Sequence, residues 1–408
     1  MDKNAVISAI DRNLAAAVEI LTQLIRFPST RGNEREISGF LKGRVAGLAD
    51  RAELIPIPDT LMDDPDYSFR LDNFSYRGTA NLRVGINGRS DGKSLAFNTH
   101  LDVVPPSVGQ ESAFSPVIKD ERVYGRGACD AKGQAAVLWL VLKTIQDLGL
   151  RPGGDLTMDF VAEEECGGNG TLLVVRQGLR ADAAVVLEPV ELQVAHLVRG
   201  AVWFEVRTRG VAGHSGSPGS TVSALKEAIK SIESIEKVRE ELLTVARGHL
   251  PMIAGHPNPM PVTFGMLHSG NWPAAAPSEA VLKGVFGFLP PFHRRDIQDK
   301  LRQAVALHRA EIFFNMLNSD PAYIPVDHPL VGAVVSAARE AGIEAAPAFM
   351  NASCDSWRYT EQLGIPAVVF GPGSITKAHA VDEHIAISDI RRAALALVYF
   401  IDEWSGLA

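Results

Sequence analysis

The sequence predicts an α/β fold: a doubly wound, mostly parallel sheet interrupted by an inserted ferredoxin-like α+β unit. Short apolar runs alternate with helix-length amphipathic segments through the first half and again after about residue 323. Between them the order changes to β-α-β-β-α-β, the split βαβ arrangement. A chain of 408 residues is also too long for one compact core. The expected division is a main domain in two parts, residues 1–199 and 321–408, with residues 200–320 inserted.

The elements follow in order. The N-terminal 25 residues have helical apolar spacing broken by acidic residues, which suits an amphipathic helix and lacks the unbroken apolar core of a secretion signal. A second helix is expected over 36–49, a polar, aperiodic surface loop over 59–74, and strands over 81–86 and 94–98. The glycine-rich stretch 125–133 precedes an apolar helix over 134–148. Strands over 156–162 and 183–187 end in carboxylates. In the insert, strands are expected over 201–208, 262–267, 279–288 and 311–317, with helices over 221–247 and 294–309. The main domain resumes with a helix over 330–341, a strand over 367–370 and a closing helix over 389–404.

Composition narrows the function classes. Apolar residues make up 46% and charged residues 22%, near the globular average, which argues against disorder and coiled coil. A net charge of -8 argues against nucleic acid or an anionic membrane as partner, and no run of eighteen apolar residues predicts a membrane span. Three cysteines, Cys129, Cys166 and Cys354, form no CxxC pair, so a reducing compartment, the cytoplasm, is expected.

His100, Asp130, Glu165, Glu188 and His379 lie at or beyond the ends of apolar, strand-like runs or in glycine-rich turns. Open α/β sheets gather their chemistry at carboxyl strand ends. Two imidazoles and three carboxylates meeting there would form a ligand set for two zinc-like ions. The context is Asn98-Thr-His-Leu-Asp102, in which Asp102 can orient a ligating His100. It continues with Gly125-Arg-Gly-Ala-Cys-Asp-Ala-Lys-Gly133, Glu163-Glu-Glu-Cys-Gly-Gly-Asn-Gly170, Glu188-Pro189, Ala378-His-Ala-Val-Asp-Glu383 and, in the insert, Gly210-Val-Ala-Gly-His-Ser-Gly216. Lys132-Gly133 lacks the order of a phosphate loop. Three adjacent glutamates repel one another unless a cation absorbs the charge, and a spare carboxylate beside a metal can serve as general base. Spacing alone does not choose among the three.

As an ordered set these motifs resemble, from about residue 10 to the C-terminus, the dinuclear zinc amidohydrolases that include acetylornithine deacetylase, succinyl-diaminopimelate desuccinylase and glutamate-releasing carboxypeptidases. The resemblance implies two zinc ions per subunit, with cobalt or manganese as substitutes. His100 and Glu188 would bind one ion, Glu165 and His379 the other, and Asp130 would bridge them. Asp102 would orient His100, and Glu164 would be the general base. Glu163 stands where the family has aspartate. The main domain would be catalytic, and the insert a lid that also forms a homodimer. His214 would reach the partner's active site to steady the oxyanion, with Asn271 on the same rim.

The implied substrate is an N-acyl amino acid or related N-acyl amine, or, for an exopeptidase or dipeptidase, a short peptide. A metal-stabilised binding protein and a serine hydrolase using Ser215 are the rivals of other classes. One departure stands out. Where many members carry a carboxylate-gripping arginine, this chain reads Gly284-Val-Phe-Gly-Phe-Leu-Pro290. Arg199 or Arg358 would have to replace it, or else the substrate is less acidic.

Overall fold

The computed structural model describes residues 1–408 except 215, 217 and 218. A nine-stranded sheet forms its centre. Strands Leu156–Val161, Leu95–His100, Ala183–Val186 and Ala367–Val369 lie side by side in that order and run parallel. The flanks are mixed: Arg51–Pro56 and Ala80–Ile86 add antiparallel on one side. On the other, Val194–Val198 pairs antiparallel with Ala322–Tyr323 and parallel with Pro347–Met350.

Burial on both faces explains why the central strands read as continuous apolar runs. Every residue of Leu95–His100 and Ala183–Val186 is buried. Helix Lys132–Asp147 packs against helices Lys3–Ile25 and Ile387–Ser405, which accounts for its apolar character on nearly all sides. The N-terminal helix is capped by Asp2, whose carboxylate accepts the backbone N–H of Asn4 at 2.9 Å and of Ala5 at 3.3 Å.

The second sheet has the order Val262–Ser269, Glu279–Phe288, Gly200–Arg209, Ala310–Phe313, antiparallel throughout, with Asn318–Ser319 also pairing the Gly200 strand. This is the ferredoxin-like order. Helices Ala224–His249 and Arg294–Val305 pack against this sheet over a separate apolar core that includes Phe204, Phe286, Phe288, Ile235 and Leu301.

Several elements differ from expectation. The 59–74 segment is the expected surface loop, with Asp59, Thr60, Asp63, Pro65 and Arg70 exposed, but it is more ordered than its sequence suggests. It begins as a 3-10 turn, Asp59–Asp63; Asp64 pairs with Arg176 at 2.6 Å, and Asp66 pairs with Arg176 at 2.8 Å and with Arg294. Its acidic residues fasten the main sheet's helix Asn169–Arg176 to the small sheet's helix. Strands Arg51–Pro56, Val194–Val198 and Pro347–Met350 were not anticipated; all are short, and the first two are interrupted by polar residues. The expected strand 311–317 is shorter, Ala310–Phe313, and the short strand Asn318–Ser319 follows beyond its expected end. No helix among the described residues is long and apolar enough to cross a membrane.

Arg83 and Asp159 face each other across neighbouring strands and form two contacts, at 2.7 and 3.1 Å. Asp159 is buried, and that burial pushes its carboxyl up despite the guanidinium. Removing the cation would strand a buried carboxylate. Arg83→Ala is expected to lose about 3 kcal/mol in urea unfolding, and Arg83→Ala/Asp159→Asn to recover most of it; a single variant as stable as the parent would contradict this.

Candidate metal centre

Because the four central strands are parallel, their carboxyl ends open on one side, and the polar residues beyond them converge. His100 closes its strand, fully buried. Its Nε2 lies 3.0 Å from Asp130 Oδ1 and 3.9 Å from Glu188 Oε2. The other oxygen of Asp130 lies 3.3 Å from His379 Nε2, which is itself 3.0 Å from Glu165 Oε1. Asp130 thus presents one oxygen to each imidazole, the geometry of a bridging carboxylate. Donor atoms of His100, Glu164 and Glu188 lie within 4.8 Å of one another, as do those of His100, Asp130 and Glu165.

The loops carrying these groups are held by buried carboxylates. Asp102 accepts the backbone N–H of both Glu164 and Glu165 at 3.1 Å. Its carboxylate is 3.5 Å from His100 Nδ1, but its own carbonyl oxygen is nearer, at 3.0 Å. Asp102 therefore positions the glutamates as directly as it does the imidazole. Glu383 performs the same task for Asp130: one oxygen accepts from the backbone N–H of Gly127, Cys129 and Asp130 at 2.9, 3.0 and 3.2 Å, and the other meets buried Arg126. Burial raises the Glu383 carboxyl to about 7. Gly371 lets its turn lie against the Glu188 backbone, where a Cβ would come within 2.5 Å of the Glu188 carbonyl oxygen.

The three adjacent glutamates separate by direction. Glu163 turns away to Arg31 at 2.6 Å, Asn169 Nδ2 at 2.8 Å and the Tyr76 hydroxyl. Glu164 and Glu165 face the cluster. Burial, reinforced by the charge of Glu188, pushes the Glu164 carboxyl well up, and burial does the same to Glu188. Burial also acts upward on Asp130, but hydrogen bonds from His100 and His379 outweigh it and hold it well below the usual carboxylate range. Those bonds in turn raise His379 to about 10, and His100 rises although burial opposes it.

A cavity of about 350 Å³ opens from the cluster. Glu164, Glu165, His379 and Asp355 line one side; Trp203, Val285 and Leu317 of the small sheet's side line another. Asp355 was not anticipated. It lies outside any motif and is buried against the Thr171 hydroxyl and the Gly168 backbone. His214 is exposed on the short pair Gly213–His214 with Ala275–Ala276; its Nδ1 accepts the Gly216 N–H at 3.1 Å, and it does not line this cavity. Asn271 is exposed in the loop before Ala275–Ala276, and Ser215 lies outside the described residues. Of the two arginines considered for substrate binding, Arg358 is fully buried and committed to the Gly167 carbonyl at 2.9 Å and to Gln362 at 3.0 Å, whereas Arg199 lines the cavity.

Two imidazoles and several carboxylates, crowded with too little hydrogen bonding to neutralise one another, fit divalent cations. The class so defined is a metal-dependent hydrolase of amide bonds. The model of the family described as Peptidase family M20/M25/M40 matches residues 96–403, and the chain belongs to that family. It is 29% identical over 340 residues to an acetylornithine deacetylase of Myxococcus xanthus, covering 80% of this chain and 84% of the relative. It is 25% identical over 382 residues to the N-formyl-4-amino-5-aminomethyl-2-methylpyrimidine deformylase of Bacillus subtilis, covering 83% and 86%. In fold it resembles an M20 family metallo-carboxypeptidase from Sulfolobus solfataricus, with a TM-score of 0.76, 19% identity, and coverage of 95% and 99%.

In the metal-free protein at pH 7, His379 carries a proton, since its pKa of about 10 lies above that pH, and His100 is shifted the same way. A metal must displace those protons. Zinc titrations in buffers of different ionisation enthalpy should therefore report net proton release at pH 7, with affinity rising toward pH 10. A heat independent of buffer would contradict this.

Proposed function

We propose that this chain is a deacylase: it hydrolyses the amide bond of an N-acyl amino acid or related small N-acyl amine, using two divalent metal ions. The observation that carries the reading is the convergence of His100, Asp130, Glu165, Glu188 and His379 around one point, with Glu164 beside them and a cavity in front. The acetylornithine deacetylase relative and the deformylase relative, both named for removal of an acyl group, support it.

His100 and Glu188 would hold one ion, Glu165 and His379 the other, and Asp130 both. When bound, such ions polarise a carbonyl and lower the pKa of water toward about 7. Zinc suits a mixed imidazole–carboxylate set, with cobalt or manganese as substitutes. Glu164 accepts a proton from the attacking water and delivers it to the departing nitrogen, leaving a carboxylate and an amine. Its half-buried, anion-crowded position suits this exchange, because burial and the charge of Glu188 push its carboxyl up from the ordinary value and so strengthen its hold on the proton it receives. Asp102 and Glu383 keep the loops in register.

The unit 200–320 serves as lid and dimerisation domain between catalytic parts 1–199 and 321–408. Exposed Leu225, Ile229, Met266 and Leu267 on its helix and edge strand support a homodimer, in which His214 steadies the oxyanion of the partner's site. Three free cysteines support a cytoplasmic location. A second reading, an exopeptidase or dipeptidase, is favoured by the tryptophans Trp203 and Trp357 beside the cavity, which suit a peptide side chain.

The test is a panel of N-acyl amino acids and dipeptides with zinc or chelator. Deacylation of the first group, abolished by chelator, is expected; cleavage confined to dipeptides favours the second reading. Glu164→Gln should retain both metals and lower kcat by about 10²- to 10⁴-fold. Undiminished turnover would remove Glu164 from the role of base.

A further inference from the structure

The turn that presents Glu164 and Glu165 is gripped from two sides. Asp102 holds its backbone N–H groups. Glu163, buried and turned away from the cluster, holds its entry. The chain leaves strand Leu156–Val161 and bends at Glu163, whose φ of 57° is left-handed. That conformation is uncommon for a residue other than glycine and persists only where the surroundings over-determine it. The Gly168 N–H donates to the Glu163 carbonyl at 2.9 Å, and the Gly167 N–H to the Glu164 carbonyl at 2.8 Å, which closes the turn.

The side chain of Glu163 belongs to a closed cycle of hydrogen bonds. Arg31 Nε donates to Oε1 at 2.6 Å, and the Tyr76 hydroxyl donates to Oε2. A phenol has one hydrogen to give. Burial and the charge of Glu163 keep the Tyr76 hydroxyl protonated, and it spends that hydrogen on Glu163. The 2.8 Å contact between the two phenols therefore runs from Tyr67 to Tyr76. Arg31 Nη2 closes the cycle by donating to the Tyr67 oxygen at 3.2 Å. Asn169 Nδ2 gives Oε2 a further hydrogen at 2.8 Å, and the Asn169 side chain also pairs with the Ser68 backbone at 3.0 and 3.1 Å. The Arg31 guanidinium lies over the Phe69 and Phe74 rings, 5.1 and 5.0 Å from their centroids. Buried hydrogen bonds linked in this way polarise one another and stiffen the groups they join. Three distant segments thus meet on one carboxylate: the turn after the first helix, the loop through residues 67–76 and the glutamate triplet itself.

We propose that Glu163, closed into this cycle with Arg31, Tyr67 and Tyr76, is a positioning residue: it fixes the bend from which Glu164 points to the water-activating position and Glu165 to its metal ion. The inference deepens the deacylase reading and rests on it for the role of Glu164. Glu163 touches neither substrate nor metal and acts through the two residues that follow it. Three adjacent carboxylates would otherwise repel one another into whatever directions solvent allowed. Committing the first of them to a guanidinium and a phenol on the far side leaves the other two facing the cluster together.

The experiment compares the full-length parent with Glu163→Gln, Tyr76→Phe and the two combined. Glutamine matches glutamate in size, but its amide carries hydrogens where a donor must be accepted, so the cycle opens without a cavity. Zinc affinity is read by competition with a chelator, and kcat and KM at saturating zinc on N-acetyl-L-leucine, N-formyl-L-leucine and glycyl-L-leucine. Urea unfolding confirms that each variant is folded. Glu163→Gln should weaken at least one zinc ion and lower kcat, each by about 10- to 100-fold, with KM within about threefold of the parent. A role confined to folding would lower the urea midpoint and leave both quantities of the folded protein unchanged. Tyr76→Phe should move them the same way, and the combined variant no further than Glu163→Gln alone, because the cycle is already open. Zinc affinity or kcat unchanged in folded Glu163→Gln overturns the proposal, as does losses that simply add. If Glu163→Gln does not fold, Tyr76→Phe decides by the same two quantities. Turnover by the parent is scored separately: hydrolysis of neither acyl compound counts against the deacylase reading, while zinc affinity still judges Glu163.

Discussion

Asp130 lies between two imidazoles, 3.0 Å from one and 3.3 Å from the other, while Glu164, Glu165 and Glu188 crowd the same space. Carboxylates so close repel one another, and the buried ones also lose hydration. Hydrogen bonds from the two imidazoles offset part of that cost, and the same bonds shift His379 and His100 upward. A pair of divalent cations offsets it more completely. The rest of the architecture serves to hold these groups together against their mutual repulsion.

That support has two layers. The parallel strands bring the chain segments to one edge, and two buried carboxylates then tie the loops by their backbone N–H groups. Asp102 ties the Glu164–Glu165 turn, and Glu383 ties the turn that presents Asp130. Neither needs to touch a metal to be indispensable to the geometry. The small sheet completes the site from the other side, supplying the apolar wall at Trp203 and Val285 and the glycine on which Arg199 rests. Asp64 and Asp66 bind that unit's helix and the main domain into one rim through Arg176 and Arg294.

Much of this was legible in the sequence. The apolar runs ending in His100, Glu165 and Glu188 mark central strands because both their faces are covered, and burial leaves a compositional trace. The ferredoxin-like insert was readable from the order of its periodicities. What was not legible depends on partners distant in the chain. The 59–74 segment is a surface loop as it reads, but the pairing of its Asp64 and Asp66 is not legible, because only folding brings Arg176 and Arg294 to them. Strand Val194–Val198 is short and contains His196, so its apolar pattern is weak. Asp355 and Glu383 carry no local signature of their roles, since each acts through backbone groups or hydroxyls from another part of the sheet. The difference between Arg199 and Arg358 rests likewise on burial: Arg358 is fully buried, whereas Arg199 lines the cavity.

The account stands on a pair of cations shared through Asp130. Anomalous diffraction from crystals of the zinc-loaded protein measures this most directly. Two peaks are expected, about 3.5–4 Å apart as in two-metal sites generally, one beside His100 and Glu188 and one beside Glu165 and His379, with Asp130 reaching both. A single peak, or zinc bound away from these side chains with the cluster left as it stands, would contradict it.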